Sequence, residues 1–416
     1  RWAKSNLTDG IWAQASDPVA IRELADATKQ QSDILARINT PERIAEREQL
    51  NGRITDATQQ LAALPKGRMV YAAATHFAPQ GNFHPTMGTP RAVRLLYRGD
   101  VTAPRDEVQP GTLPIFDSVD PGFGLPTDHS EGDRRAALAQ WITHENHPLT
   151  WRSIANRIWL YHFGAGLVDT PNDFGRMGQL PSHPELLDWL AAELRDNGQS
   201  IKELHRLIVT SRVYQQTSSP TVADAAAASA LDSGNRLLWR MNRRRLEAEE
   251  IRDAVLSVSG RLDTAMGGPG YYLFVLEKTD HSPHYEYYLF SPEDRASQRR
   301  SVYRFVVRSQ PDPFMTTLDC ADSSQSTPLR SETLTSLQAL SLLNNKFNLT
   351  MSQYFAERLT SERSTLPKQI DLAMRLVAGR PPTASEQQQL EAYAETHGMA
   401  NLCRVLFNLS EFVYLD

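Results

Sequence analysis

Asn156-Arg157-Ile158-Trp159-Leu160-Tyr161-His162-Phe163-Gly164-Ala165-Gly166-Leu167-Val168-Asp169-Thr170-Pro171-Asn172-Asp173-Phe174-Gly175 leads, a few residues on, to Pro181-Ser182-His183-Pro184-Glu185-Leu186-Leu187-Asp188-Trp189-Leu190. Two helix boundaries flank a glycine- and proline-punctuated loop that carries two carboxylates. Downstream, Leu186, Leu187, Leu190, Ala191 and Leu194 recur on one helical face. Ser182 with Glu185, and Ser200 with Glu203, have the S-x-x-E spacing of a capping box, in which each side chain satisfies a backbone N–H at a helix start. Gly198 between them is a natural helix stop, and Leu204, Leu207 and Ile208 line the next helix.

The same pattern continues outward. Ile251, Ala254, Val255 and Val258 give an inward stripe to a helix over 246–259, and Thr383 with Glu386 repeats the capping box after Pro381-Pro382. The fold class is therefore mainly α: a multi-helix body, a small β-containing module and an N-terminal helical hairpin. Residues 1–67 read as that hairpin or as a linker from a preceding domain, with two helices broken at Asn39-Thr40-Pro41. Leu50, Ile54, Ala57, Leu61 and Leu64 form a narrow seam on the second helix. Residues 68–130 form a strand-and-loop module, with strands at 69–71 and 93–97. The helical body spans 131–416, with an aromatic, β-prone insert at about 267–307 and a strand expected at 301–307.

The 416 residues carry a net charge of −5, without the basic stripe of a dedicated nucleic-acid binder. Mean hydropathy is −0.45, and no apolar run approaches the ~18 residues of a membrane span. Arg1 opens the chain and the first Met is Met69, so it reads as a processed or excised piece of something longer. Cys320 and Cys403 allow one disulfide or two buried thiols, and neither belongs to a C-x-x-C-H haem-attachment run. No cofactor is expected in this chain.

Asp169 and Asp173, beside His183, are the acids with the most chemical interest, since carboxylates in different environments can divide acid and base roles. The plainer use is turn formation and pairing with Arg157 or Arg176. His281, His284 and Glu286 are the metal candidate, with Pro283 making the segment a loop. Tyr271, Tyr272, Tyr285, Tyr287 and Tyr288 offer ring faces for a sugar or a protein partner, or cover the core as a β-hairpin. The arginines of 240–252 and 295–308 lie among Glu247, Glu249, Glu250, Asp253, Glu293 and Asp294, which points to internal ion-pair networks; an anionic glycan is the other use.

The 156–190 stretch resembles the signature of the planctomycete PSD domain. So do Arg243-Arg244-Arg245-Leu246-Glu247-Ala248-Glu249-Glu250-Ile251-Arg252-Asp253-Ala254 and Ser336-Leu337-Gln338-Ala339-Leu340 followed by Leu342-Leu343-Asn344. Tyr97-Arg98-Gly99-Asp100 and Val108-Gln109-Pro110-Gly111 resemble that family's lead-in, so the likeness covers roughly 70–416. The family, of unknown function, usually ends large secreted proteins that carry cytochrome c domains. The resemblance implies export to the periplasm or cell surface, protein partners that include cytochrome domains, and c-type haem on missing N-terminal domains or a partner. A non-catalytic interaction or scaffold role follows. The alternative is a carbohydrate-active hydrolase or glycan-binding module centred on Asp169, Asp173 and His183.

Overall fold

The computed structural model describes residues 18–63, 80–84, 88–279 and 282–415. The chain divides into two compact units, Arg1–Ala72 and Ala73–Asp416. In the first, α1 (Pro18–Ile38) and α2 (Pro41–Ala63) form where the sequence places them, with Thr40 Oγ1 accepting from the Arg43 N–H at 3.4 Å. The predicted seam is not buried: Leu50, Ile54 and Leu61 remain 45%, 64% and 72% exposed. A two-per-heptad stripe covers too little surface to form a core alone. The expected strand at 69–71 lies outside the described residues.

The second unit begins with an antiparallel pair, β1 (Val93–Tyr97) and β2 (Asp100–Val108), then α3 (Glu131–Ile142). Next come α4 (Pro148–Phe163), α5 (Pro184–Asp196) and α6 (Ile201–Val209), which bury Trp151, Trp159, Phe163, Leu187, Leu190, Leu204 and Ile208 in one core. After α7 (Val222–Leu231), β3 (Arg244–Arg245) pairs with β6 (Tyr414–Leu415) and so ties the chain's end to the start of α8 (Ala248–Val258). The hairpin of β4 (Val275–Lys278) and β5 (Pro283–Glu286) follows, then α9 (Pro313–Thr317), α10 (Ser336–Asn344) and α11 (Lys346–Glu362). Last are α12 (Leu366–Ala378), α13 (Ala384–His397), α14 (Met399–Leu406) and α15 (Ser410–Val413). Ile251, Val255, Met351, Phe355, Ile370, Leu406 and Phe407 make the second core. The fold is mainly α with small β modules, as expected.

Two local expectations are corrected. Ser182 does not cap α5: His183 holds the N-cap position, with Pro184 at N1. Ser182 instead donates its N–H to the Leu167 carbonyl at 2.8 Å, so a tertiary bond takes the group that a capping box would have used. Residues 301–307 do not form a strand. Asp253 captures the Ser301 N–H at 2.8 Å, a single 3₁₀ turn follows at Ser301–Tyr303, and only an isolated parallel bridge joins Arg304 to Tyr271.

The boxes at Ser200 and Thr383 are present in differing degree. Ser200 Oγ accepts from the Glu203 N–H at 3.3 Å, while the Glu203 carboxylate turns to Arg206. At Thr383 both halves form, and Glu386 also receives Arg380, which clamps Glu411 as well. Thr383→Ala is expected to cost about 1 kcal/mol in denaturant unfolding. The Arg380 hydrogen bonds, followed by those from Thr383, hold the Glu386 carboxyl down at about 2. Its contribution to stability is complete above the ordinary glutamate range and is lost as pH falls through that depressed value. Carboxyl-detected NMR titration should place Glu386 near 2, and Arg380→Ala should return it toward the ordinary range.

Candidate functional site

The loop after α4 is built by its own small residues. Fully buried Asn156 donates to the Val168 carbonyl at 3.0 Å and accepts from the Val168 N–H at 2.8 Å. A Cβ on Gly166 would stand 2.4 Å from the Val168 carbonyl oxygen, and one on Gly178 would stand 2.0 Å from that of Asp173. Only glycine fits either place. Asp169 is paired with Arg236, and Asp173 Oδ1 accepts from the Gly175 N–H at 2.8 Å in a tight turn. His183 Nδ1 lies 3.0 Å from Ser182 Oγ. Both carboxylates are thus engaged in ordering the loop, but Asp169 through Arg236 rather than Arg157, which bonds Asn172.

A cavity of about 330 Å³ lies elsewhere, between the 287–290 turn and the corner where α10 meets α11. Tyr287, Tyr288 and Phe290 line it together with Pro313, Phe314, Phe347 and Leu273. Buried Arg252 and Asp312, together with Asn345 and Lys346, supply the polar lining. Of the predicted ring platform, the structure brings Tyr287 and Tyr288 to this cleft. Tyr271 is buried, its ring 5.2 Å from the Arg252 guanidinium. Tyr272 and Tyr285 pack on Phe274 and do not line the cleft.

Arg252, Asp312, Lys346 and Tyr287 of the cleft all have structural partners. Arg252 donates to the carbonyls of Ser297 (2.6 Å) and Arg299 (3.1 Å) and to Ser301 Oγ (3.3 Å). Asp312 caps α9 by accepting from the Phe314 N–H at 2.9 Å. Burial raises the Asp312 carboxyl above its ordinary range, opposed by the N–H groups it accepts and by Arg304 and Arg252. Lys346 donates to the Phe290 carbonyl at 3.1 Å, and the Tyr287 hydroxyl donates to that of Gln310 at 2.8 Å. Burial, with the nearby Asp312 charge, pushes the Tyr287 phenol up to about 12. Phe314, Lys346 and Phe347 escaped sequence reading because they lie 24 or more residues beyond Phe290, with no local spacing to join them to the aromatic run.

The arginines of 240–252 serve internal ion-pair networks, as one of the two sequence readings has it, whereas those of 295–308 bond neutral groups: Arg299 the Pro269 carbonyl, Arg304 the Cys320 sulfur and Arg308 the Ser324 carbonyl. Arg244 grips Glu250 with two bonds of 3.0 and 3.1 Å; Arg245 meets Asp319 at 2.8 Å, and Arg330 bridges Glu247 and Glu249. Burial disfavours the Asp319 charge, but hydrogen bonds from Thr333, Arg245 and Gln338 outweigh it and leave the carboxyl depressed. Cys320 and Cys403 are unpaired thiols. Of the metal candidates, His281 lies outside the described residues, while His284 and Glu286 share one face of the β4–β5 hairpin with Glu277. Arg252→Ala should destabilise the unit by about 3–5 kcal/mol, since it strands buried acceptors and the adjacent Asp253; urea unfolding measures this.

The family model described as PSD1, a protein of unknown function (DUF1553), matches residues 134–394, well over half of the chain. No curated protein and no solved structure matches.

Proposed function

We propose, from the premise that this chain belongs to the PSD1 family (DUF1553), that it is a non-catalytic interaction domain whose recognition site is the 287–347 aromatic cleft. The observation that carries this reading is the state of the cleft's polar groups. Arg252, Asp312, Lys346 and Tyr287 are each hydrogen-bonded within the chain itself, so apolar contact with the aromatic lining is what the cleft offers a ligand. Tyr288 is 73% exposed at the mouth. Tyrosine and other aromatic rings around a small desolvated pocket are what protein interfaces use as anchor sites. A volume near 330 Å³ suits a few side chains of a partner. The setting proposed with it is an exported, multidomain assembly at the periplasm or cell surface. Its protein partners include cytochrome domains, and haem is carried on them or on domains outside this chain.

Native mass spectrometry with an absorption spectrum, on protein isolated from the cells that make it, tests the reading. The expected species is a haem-bearing complex whose dissociation constant rises roughly 30-fold with Tyr288→Ala, the size of an interface anchor of about 2 kcal/mol. A colourless free chain of 46.7 kDa that retains a glycan would overturn it.

A further inference from the structure

We propose that Glu277, His284 and Glu286 form a binding site for a divalent transition ion of the zinc class, on the outer face of the β4–β5 hairpin. The register alone sets up the site. Glu277 stands directly opposite His284, and Glu286 lies two residues further along β5, so all three side chains leave the same face. Their ligand atoms fall within 4.8 Å of one another. At the ends of the two strands Thr279 Oγ1 donates to the Ser282 carbonyl at 2.6 Å and accepts from its N–H at 3.2 Å.

Electrostatics point the same way. Two carboxylates this close repel, and among the described residues neither Glu277 nor Glu286 is paired with a lysine or arginine. Lys278 neighbours Glu277 in sequence but alternation sends it to the opposite face. A divalent cation removes the repulsion.

The donor set selects the ion. Calcium and magnesium take oxygen ligands and gain little from an imidazole, whereas one imidazole with two carboxylates suits a borderline ion such as Zn²⁺. Donors at about 2.0–2.1 Å around a tetrahedral ion stand roughly 3.4 Å apart, so the three side chains must close in slightly on binding. Glu277 and His284 are exposed and free to make that adjustment. Three protein ligands leave one position for water. The site stands independently of the cleft reading, since none of its three ligands lines that cleft.

The test is calorimetric titration of zinc chloride into the tag-free, chelator-stripped chain, with calcium chloride as the comparison. The expected result is one zinc per chain, weakened more than tenfold by His284→Gln and by Glu277→Gln, since even an outer-shell partner of a ligand carries about that much. Zinc binding unchanged in both variants, no zinc binding, or calcium bound as tightly as zinc would each overturn it. X-ray absorption on the zinc-loaded wild type supplies a readout that needs no variant. A nitrogen and oxygen shell is expected, and a sulfur shell at about 2.3 Å would assign the ion to Cys320 or Cys403 instead and sink the proposal.

Discussion

A single buried side chain organises the second core and everything laid over it. Arg252, on α8, is 2% exposed and spends its guanidinium on the 297–301 segment, while the next residue, Asp253, accepts from both the N–H and the hydroxyl of Ser301. A buried charge is tolerated only where hydrogen bonds replace its hydration. Here the replacement comes from backbone carbonyls of a segment with little regular structure. The segment in turn gains a fixed path, because its polar groups are answered from a helix. The rings of Tyr271 and Phe347 lie 5.2 and 5.3 Å from the guanidinium, so the aromatic insert and the start of α11 are registered on the same charge.

That arrangement explains why the cleft occurs where it does. The insert brings Tyr287, Tyr288 and Phe290 to its lining, and α9 with the α10–α11 corner brings Phe314 and Phe347. The lining comes from separate parts of the chain. The Asn156 loop follows the same logic in the first core, where one buried amide satisfies both polar groups of Val168 and two glycines admit the chain's close return.

What the sequence made legible was local. Thr383 with Glu386, the break at Thr40-Pro41 and the apolar stripe of Ile251, Val255 and Val258 each depend on neighbours within a turn or two, and each is found in the structure. What it concealed was decided at long range. Ser182 looked like a cap until Leu167, fifteen residues away, took its N–H; residues 301–307 looked like a strand until Asp253, forty-eight residues away, took that of Ser301. Of the predicted rings, only Tyr287 and Tyr288 reach the cleft, because much of its lining comes from α9 and α11. Glu277 was missed as a ligand for a smaller reason. It faces His284 across the strand pair, and that register was invisible while the segment around Pro283 was read as a loop.

Asn345 is at once the last cap of α10 and the first cap of α11, its side chain accepting from the Phe347 N–H at 2.9 Å. Two helices joined through one residue leave no slack between them. An added residue at the start of α11 would shift every residue behind it by about 100° around the helix axis. Lys346 and Phe347 would leave the cleft together, while Met351, Phe355 and Leu359 would leave the core. The spacing of this corner is therefore a length constraint on the chain. A change of length there would disturb the cleft and the core together, because both read the same helical phase.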